Sequence, residues 1–239
     1  LAKEGMNFFL AGTPAAIEGF VSFLETDDRF TGIPLKRSFT DYQPFNRMNV
    51  RLKQEIISVG IDRIRPVDFT GETIEPKAFK AMLDKGALVH VLDTRNDYEL
   101  RLGTFDNAID LNLETFRAFP EAIQNLPESM KDEPVVMFCT GGIRCEKASA
   151  IMVEAGFRNV KQLKGGILGY FEEVGGEHWN GDCFVFDQRV SVVHGVEPGS
   201  YDICYACREP IDDADKASDS YVPGVSCPHC VNITTDEQK

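Results

Sequence analysis

Cys139 ends the apolar run Val135-Val136-Met137-Phe138, and Thr140-Gly141-Gly142-Ile143-Arg144-Cys145 follows at once. Strand, glycine loop and helix start in succession put a thiol where backbone N–H groups converge and the helix dipole is positive. Both effects favour thiolate over thiol, which makes the cysteine a nucleophile. Thr140, Gly141, Gly142 and Ile143 are the expected cradle for an anion or a persulfide, and Arg144 supplies a fixed positive charge. A buried structural thiol is the competing reading of a free cysteine, and the glycine loop argues against it.

The loop is Cys-x4-Arg. A Cys-x5-Arg phosphatase loop has one more residue with which to wrap a tetrahedral phosphoryl group, so the shorter span favours persulfide chemistry. Cys145, at the same positive helix end, reads either as a resolving thiol or as a small first-turn residue. Residue types alone leave both readings open.

A second constellation lies near the end. Cys204-Tyr205-Ala206-Cys207 and Cys227-Pro228-His229-Cys230 are two C-x-x-C pairs separated by 19 residues. Each turn aims two thiolates at one point, and four of them match tetrahedral Zn2+. The surrounding acidic, turn-rich segment has little core of its own, so the expected role of zinc is structural. Redox thiols or a metal-free pair of turns are the alternative. His229 is expected to stand aside, Cys183 to be buried, and His90 to be a satisfied core residue.

The chain has 239 residues, 43% apolar and 26% charged, as in an ordinary globular protein. It has no apolar run long enough for a membrane helix and no visible signal peptide. Seven cysteines used as pairs and a reactive loop point to a reducing compartment, the cytoplasm. Leu1 falls within an apparent strand and turn, so upstream sequence is expected. The net charge of −13 is uneven: residues 1–70 hold 9 basic and 9 acidic side chains, and the remainder holds the whole excess. Lys36, Arg37, Arg47, Arg51, Lys53, Arg63 and Arg65 outnumber Asp41, Glu55 and Asp62 between them. A solvated strand face and a phosphate-contacting surface both fit that stretch.

The elements that position these residues fall into three parts. Residues 1–65 read as a small α+β domain, N-terminally incomplete, with strands at Met6–Leu10, Ile33–Phe39 and Met48–Ile57. A helix opens at Thr13-Pro14, with Thr as the cap. Residues 71–181 alternate helix and strand, the sign of a parallel α/β sheet. Its helices are expected at Pro76–Leu83, Glu114–Asn125, Cys145–Ala155 and from Gly165-Gly166 to Val174. Its strands are expected at Leu88–Leu92, Val135–Phe138 and Val160–Leu163. Residues 183–239 form the cysteine-rich tail, opening on a hairpin-like segment.

The loop, together with Val91-Leu92-Asp93-Thr94-Arg95-Asn96-Asp97-Tyr98-Glu99, Asn107-Ala108-Ile109 and Leu163-Lys164-Gly165-Gly166, resembles the rhodanese (sulfurtransferase) domain. That resemblance implies a helix-flanked parallel sheet, Cys139 as carrier of sulfane sulfur, and a sulfur donor. Asp93 and Arg95 read as a structural pair. Longer strings are more specific: Cys139 to Lys147, Leu1 to Asn7, Gly181 to Asp187 and the terminal cysteine pairs. These resemble the rhodanese-containing tRNA uridine hydroxylases, the TrhO family. What this implies is a ferredoxin-like α+β unit ahead of the rhodanese domain, and oxygen-dependent formation of 5-hydroxyuridine at the wobble position of tRNA. Molecular oxygen is then a co-substrate, and Lys36, Arg37, Arg47, Arg51 and Lys53 become candidate RNA contacts. A generic sulfurtransferase is the alternative activity.

Overall fold

The computed structural model describes residues 1–33 and 35–233. They form two compact units, Leu1–Ile56 and the chain from Ile57 onward.

Among the described residues, the first unit has one α-helix, α1 (Pro14–Leu24). Thr13 is extended, and its hydroxyl accepts from the Ala16 N–H at 3.3 Å. Pro14 has no N–H to leave unpaired at the first helical position. The Lys53 N–H donates to the Leu1 carbonyl at 2.8 Å. The expected strands do not form among the described residues of this unit, where only an isolated Ala2–Gly5 bridge is present. Part of the Ile33–Phe39 expectation, Pro34, lies outside the described residues. The physical reason is burial. Phe9, Phe39, Met48, Val50 and Leu52 are exposed, and Pro44 is the only buried residue described in the unit. No covered apolar face presses these segments into a ladder.

The second unit is built on four parallel strands in the order β1-β5-β4-β2. They are β1 (Glu72–Ile74), β2 (His90–Asp93), β4 (Val135–Phe138) and β5 (Val160–Leu163). The helices are α2 (Pro76–Asp84), α3 (Asp97–Leu100), α4 (Phe119–Ala122), α5 (Ile143–Glu154) and α6 (Gly166–Val174). Every residue of β4 is buried, because the pleat sends alternate side chains into two separate cores. Val135 and Met137 pack with Cys145, Ala148 and Met152 of α5 and with Phe116, Phe119 and Ile123. Val136 and Phe138 pack with Phe79 of α2 and with Ile167, Tyr170 and Phe171 of α6. Phe105 is the hub of that second core, edge-on to Phe79, Phe138, Tyr170 and Trp179 at 4.9–5.3 Å. It reaches the hub through β3 (Gly103–Phe105), which pairs antiparallel with β6 (Trp179–Gly181).

Three expectations need correction here. The Glu114–Asn125 helix breaks into Phe116–Ala118, α4 and Ile123–Asn125, because Pro120 cannot donate within it. β2 starts at His90, not at Leu88, which is 88% exposed. The boundaries at 65 and 183 also shift. Val59 and Ile64 are buried in the α5 core, while Cys183, Val185 and Val192 are buried in the α6 core. The short pair β7 (Cys183–Phe184) and β8 (Ser191–Val192) therefore belongs to the sheet domain. Beyond it, β9 (Asp202–Ile203), β10 (Pro210–Ile211) and α7 (Asp213–Ala217) frame a separate cysteine cluster. Among the described residues, no helix is long and apolar enough to cross a membrane.

Candidate active site

Cys139 stands at the end of β4, buried at 2% exposure, and α5 begins four residues later. Gly142 takes a left-handed conformation (φ +97°), which turns its N–H onto the Cys139 sulfur at 3.1 Å. The Cys145 N–H donates to the Gly142 carbonyl at 3.0 Å, and with the Arg144 N–H it favours the charged form of the nearby sulfur. Burial pushes the Cys139 thiol up. The hydrogen bond with Cys145, the Arg144 charge and the converging amides outweigh it and bring it down to about 5. Cys145 moves the opposite way: burial, its bond to Cys139 and the Cys139 charge push it well up. Its sulfur also lies 3.6 Å from the Thr94 hydroxyl oxygen, which donates to the Phe138 carbonyl at 2.9 Å.

The loop is held from behind by α6. N–H groups of Ile167 and Leu168 donate to the carbonyls of Cys139 and Thr140 at 3.0 and 3.1 Å. This close approach requires Gly166, where φ is +64° and a Cβ would lie 2.4 Å from the Cys139 carbonyl oxygen. Gly141 is different. It is exposed, and a Cβ there would meet nothing within 4 Å. Ile143 is half-buried at the start of α5.

Arg144 directs its guanidinium at Glu99, with 2.5 and 2.8 Å bonds to the two carboxylate oxygens. Its Nη2 also lies 3.4 Å from the Thr140 hydroxyl oxygen, and that hydroxyl donates to Glu99 at 3.3 Å. Burial pushes the Glu99 carboxyl up, but the Arg144 charge and hydrogen bonds, the Arg95 charge and the Asn96 N–H hold it below its usual range. Arg144 therefore acts on Cys139 through charge and through its backbone N–H, while its side chain ties the loop to α3. Phe186, 59% exposed, covers the Arg144 guanidinium at 5.9 Å. Lys147, one turn further along α5, is buried and donates to the Ile57 carbonyl at 2.8 Å.

Asp93 and Arg95 form a fully buried bidentate pair at 2.9 and 2.6 Å. Asp93 also accepts from the Thr104 hydroxyl at 2.9 Å, and Arg95 donates to the Gly103 carbonyl at 2.6 Å. The guanidinium lies against Phe138 and Trp179, and the pair fastens β2 to β3.

In the tail, the sulfur atoms of Cys204, Cys207, Cys227 and Cys230 lie within 4.8 Å of one another. Cys227 is 3.7 Å from both Cys207 and Cys230. Metal–sulfur bonds of about 2.3 Å in a tetrahedron imply sulfur–sulfur edges of about 3.8 Å, so the donor set fits a metal such as zinc. The His229 ring is engaged elsewhere, with Arg101 and Asp215, each at 3.0 Å. Cys183 is buried, and burial pushes its thiol up to about 12. His90 bonds Glu133.

Comparison with known proteins bears on this arrangement. Residues 1–56 match the family described as the UPF0176 acylphosphatase-like domain, and residues 75–173 match the rhodanese-like domain. This is the domain architecture of the TrhO/UPF0176 family. Solved structures similar to the chain include the rhodanese-like domain of an Anabaena protein. It is 21% identical, with 46% of this chain and 80% of that chain covered and a TM-score of 0.39. A rhodanese-related protein from Thermoplasma volcanium is 23% identical over 44% of this chain and 94% of its own, with a TM-score of 0.37. A rhodanese-like domain protein from Staphylococcus aureus is 23% identical over 42% and 91%, with a TM-score of 0.36.

Within the TrhO/UPF0176 architecture, Lys36, Arg37, Arg47, Arg51 and Lys53 are all exposed on the UPF0176 unit. Arg37 forms an ion pair with Glu18 of α1. Glu99 is the site residue that residue types did not single out. Its partner Arg144 is 45 positions away, and its local signal, a helix-capping glutamate after Asn96, speaks only of α3.

Proposed function

We propose that this protein is a tRNA-modifying enzyme that hydroxylates the wobble uridine to 5-hydroxyuridine, with molecular oxygen as co-substrate and Cys139 as its reactive group. The observation that carries the reading is the Cys139 thiolate in its amide cradle, in a chain that joins a UPF0176 unit to a rhodanese-like domain. Cys139 is the nucleophile. The Gly142, Arg144 and Cys145 amides stabilise negative charge on its sulfur or on a second sulfur bound to it. Arg144, locked by Glu99, adds a fixed positive charge. Lys36, Arg37, Arg47, Arg51 and Lys53 contact RNA phosphates. Zinc at the four tail cysteines has a structural role, supplying folding free energy to a segment with little apolar core.

A second reading, a sulfurtransferase that carries sulfane sulfur as a persulfide, is favoured by the cradle itself, which suits a terminal sulfur anion. One experiment separates the two. The protein and its Cys139→Ser variant are expressed in a strain that makes no 5-hydroxyuridine, and tRNA nucleosides are measured by mass spectrometry. The hydroxylase reading expects 5-hydroxyuridine with the wild type and none with the variant. Its absence with the wild type, together with sulfur transfer from thiosulfate to cyanide, refutes hydroxylation in favour of sulfur transfer.

A further inference from the structure

An exposed aromatic ring stands at the margin of the cysteine loop. Phe186 is 59% exposed, while Cys183, Phe184, Val185 and Val190 around it are buried. The exposed aromatic side chains described from Ile57 onward are Phe69, Phe186 and Tyr205. Of these, Phe186 is the one that lies against a residue of the cysteine loop, with the Arg144 guanidinium 5.9 Å from its ring centre. A second path leads to the same place. The Thr140 hydroxyl oxygen is 3.5 Å from the Phe184 carbonyl oxygen, and the Phe184 ring is edge-on to Phe186 at 5.0 Å. Tyr98 of α3 is edge-on to Phe184 at 5.3 Å, so a row of three rings links α3 to the exposed Phe186.

The ring is held in that position. Phe186 lies on the turn between β7 and β8, where the Val185 N–H donates to the Val190 carbonyl at 2.9 Å and the Val190 N–H to the Asp187 carbonyl at 3.1 Å. The Arg189 guanidinium donates to both Asp187 carboxylate oxygens at 2.9 and 2.6 Å. Val190 takes a φ of +63°, a costly conformation for a β-branched residue. Such strain persists only where the surrounding structure enforces it. The turn is thus braced, yet the ring it carries is left mostly in water, where its exposed part adds nothing to folding.

An aromatic face left open to water stacks flat rings. The Arg144 charge beside it is already met by Glu99, so the place suits a neutral ring rather than an anion. An enzyme that acts on a base has to hold that base out of its stack, and single-stranded RNA bases are held on aromatic side chains. We propose that Phe186 is a substrate-binding residue, on which the uracil ring of the target nucleotide stacks beside the cysteine loop. This rests on the hydroxylase reading above.

The test has two arms, both with the full chain. In the first, wild type and variants are induced in the strain that makes no 5-hydroxyuridine, and its initial rate of appearance in tRNA is measured. Phe186→Ala and Phe186→Leu are expected to be slower by about 5- to 150-fold, the range for one base on one aromatic ring. Phe186→Tyr and Phe186→Trp are expected to retain the rate. Leucine covers Arg144 without an aromatic face, so a loss there that tyrosine and tryptophan restore separates stacking from apolar cover. Equal rates in wild type and Phe186→Ala overturn the role of Phe186 and leave the hydroxylase reading intact. A wild type that makes no 5-hydroxyuridine overturns both. The second arm needs no variant. An anticodon stem-loop RNA with 5-iodouridine at the wobble position is irradiated with the wild-type protein, and the crosslinked residue is mapped by mass spectrometry. A crosslink on Phe186 is expected, and one on another residue overturns the assignment.

Discussion

Arg144→Met removes a charge from the most enclosed ion pair of the site while keeping most of the side chain's length. The Glu99 side chain is fully buried and that of Arg144 is 9% exposed. Deleting one partner of a buried pair costs about 3–5 kcal/mol, because the other charge is left uncompensated. Glu99 keeps the Asn96 N–H, the Thr140 hydroxyl and the Arg95 charge, so the lower end, about 3 kcal/mol, is expected. In a unit of this size that corresponds to about 6–12 °C in Tm. The pH dependence sharpens the expectation. In the wild type, the Glu99 carboxyl lies below its unfolded value. Its contribution is fully present above that unfolded value and is lost as pH falls through the folded one. In Arg144→Met, burial instead raises the folded value, so the variant loses stability as pH rises from the unfolded value through the raised one. The gap between the two proteins is therefore widest near neutrality and narrows in acid. Calorimetry of both from pH 4 to pH 8 reads this directly. A loss below about 1 kcal/mol at pH 7, or a gap that does not change with pH, refutes the assignment of Glu99 as a buried carboxylate dependent on Arg144.

Alkylation of Cys139 by iodoacetamide, followed against pH, should show a midpoint near 5 in the wild type and a higher one in Cys145→Ala, which loses a hydrogen bond to the thiolate. Equal midpoints mean that Cys145 does not assist ionisation. Protein produced with ample metal should contain about one zinc per chain. Chelation should expose residues 200–233 to protease while the Cys139 midpoint stays where it was; metal-free protein with the same protease resistance refutes a structural zinc.

The parts of the site that were legible in the sequence are those written in consecutive residues. The run Val135 to Cys145 contains the buried strand, the turn and the helix start, and β4 falls on the expected residues. The two C-x-x-C pairs likewise give the four clustered sulfurs by spacing alone. Contacts made across the chain left no comparable trace. Glu99 reaches Arg144 only because α3 is brought beside the loop, and β3 finds β6 some 75 residues later. In the first unit, the alternation Met48-Asn49-Val50-Arg51-Leu52-Lys53 reads as a strand, yet those apolar side chains stay exposed and no ladder forms. Period-two patterning makes a strand only when a second surface covers its apolar face.

The glycines of the loop divide the site into a fixed wall and an exposed rim. Gly166 presses backbone against backbone, and Gly142 holds a left-handed conformation (φ +97°) that a residue with a side chain rarely adopts, so both positions call for glycine. Gly141 has an ordinary backbone conformation, is exposed, and a Cβ there meets only open space. A side chain at 141 would stand on the exposed rim of the cysteine loop, and it would fit without moving the loop backbone. The surface of the loop can therefore vary at this one position while the conformation that cradles Cys139 is conserved behind it.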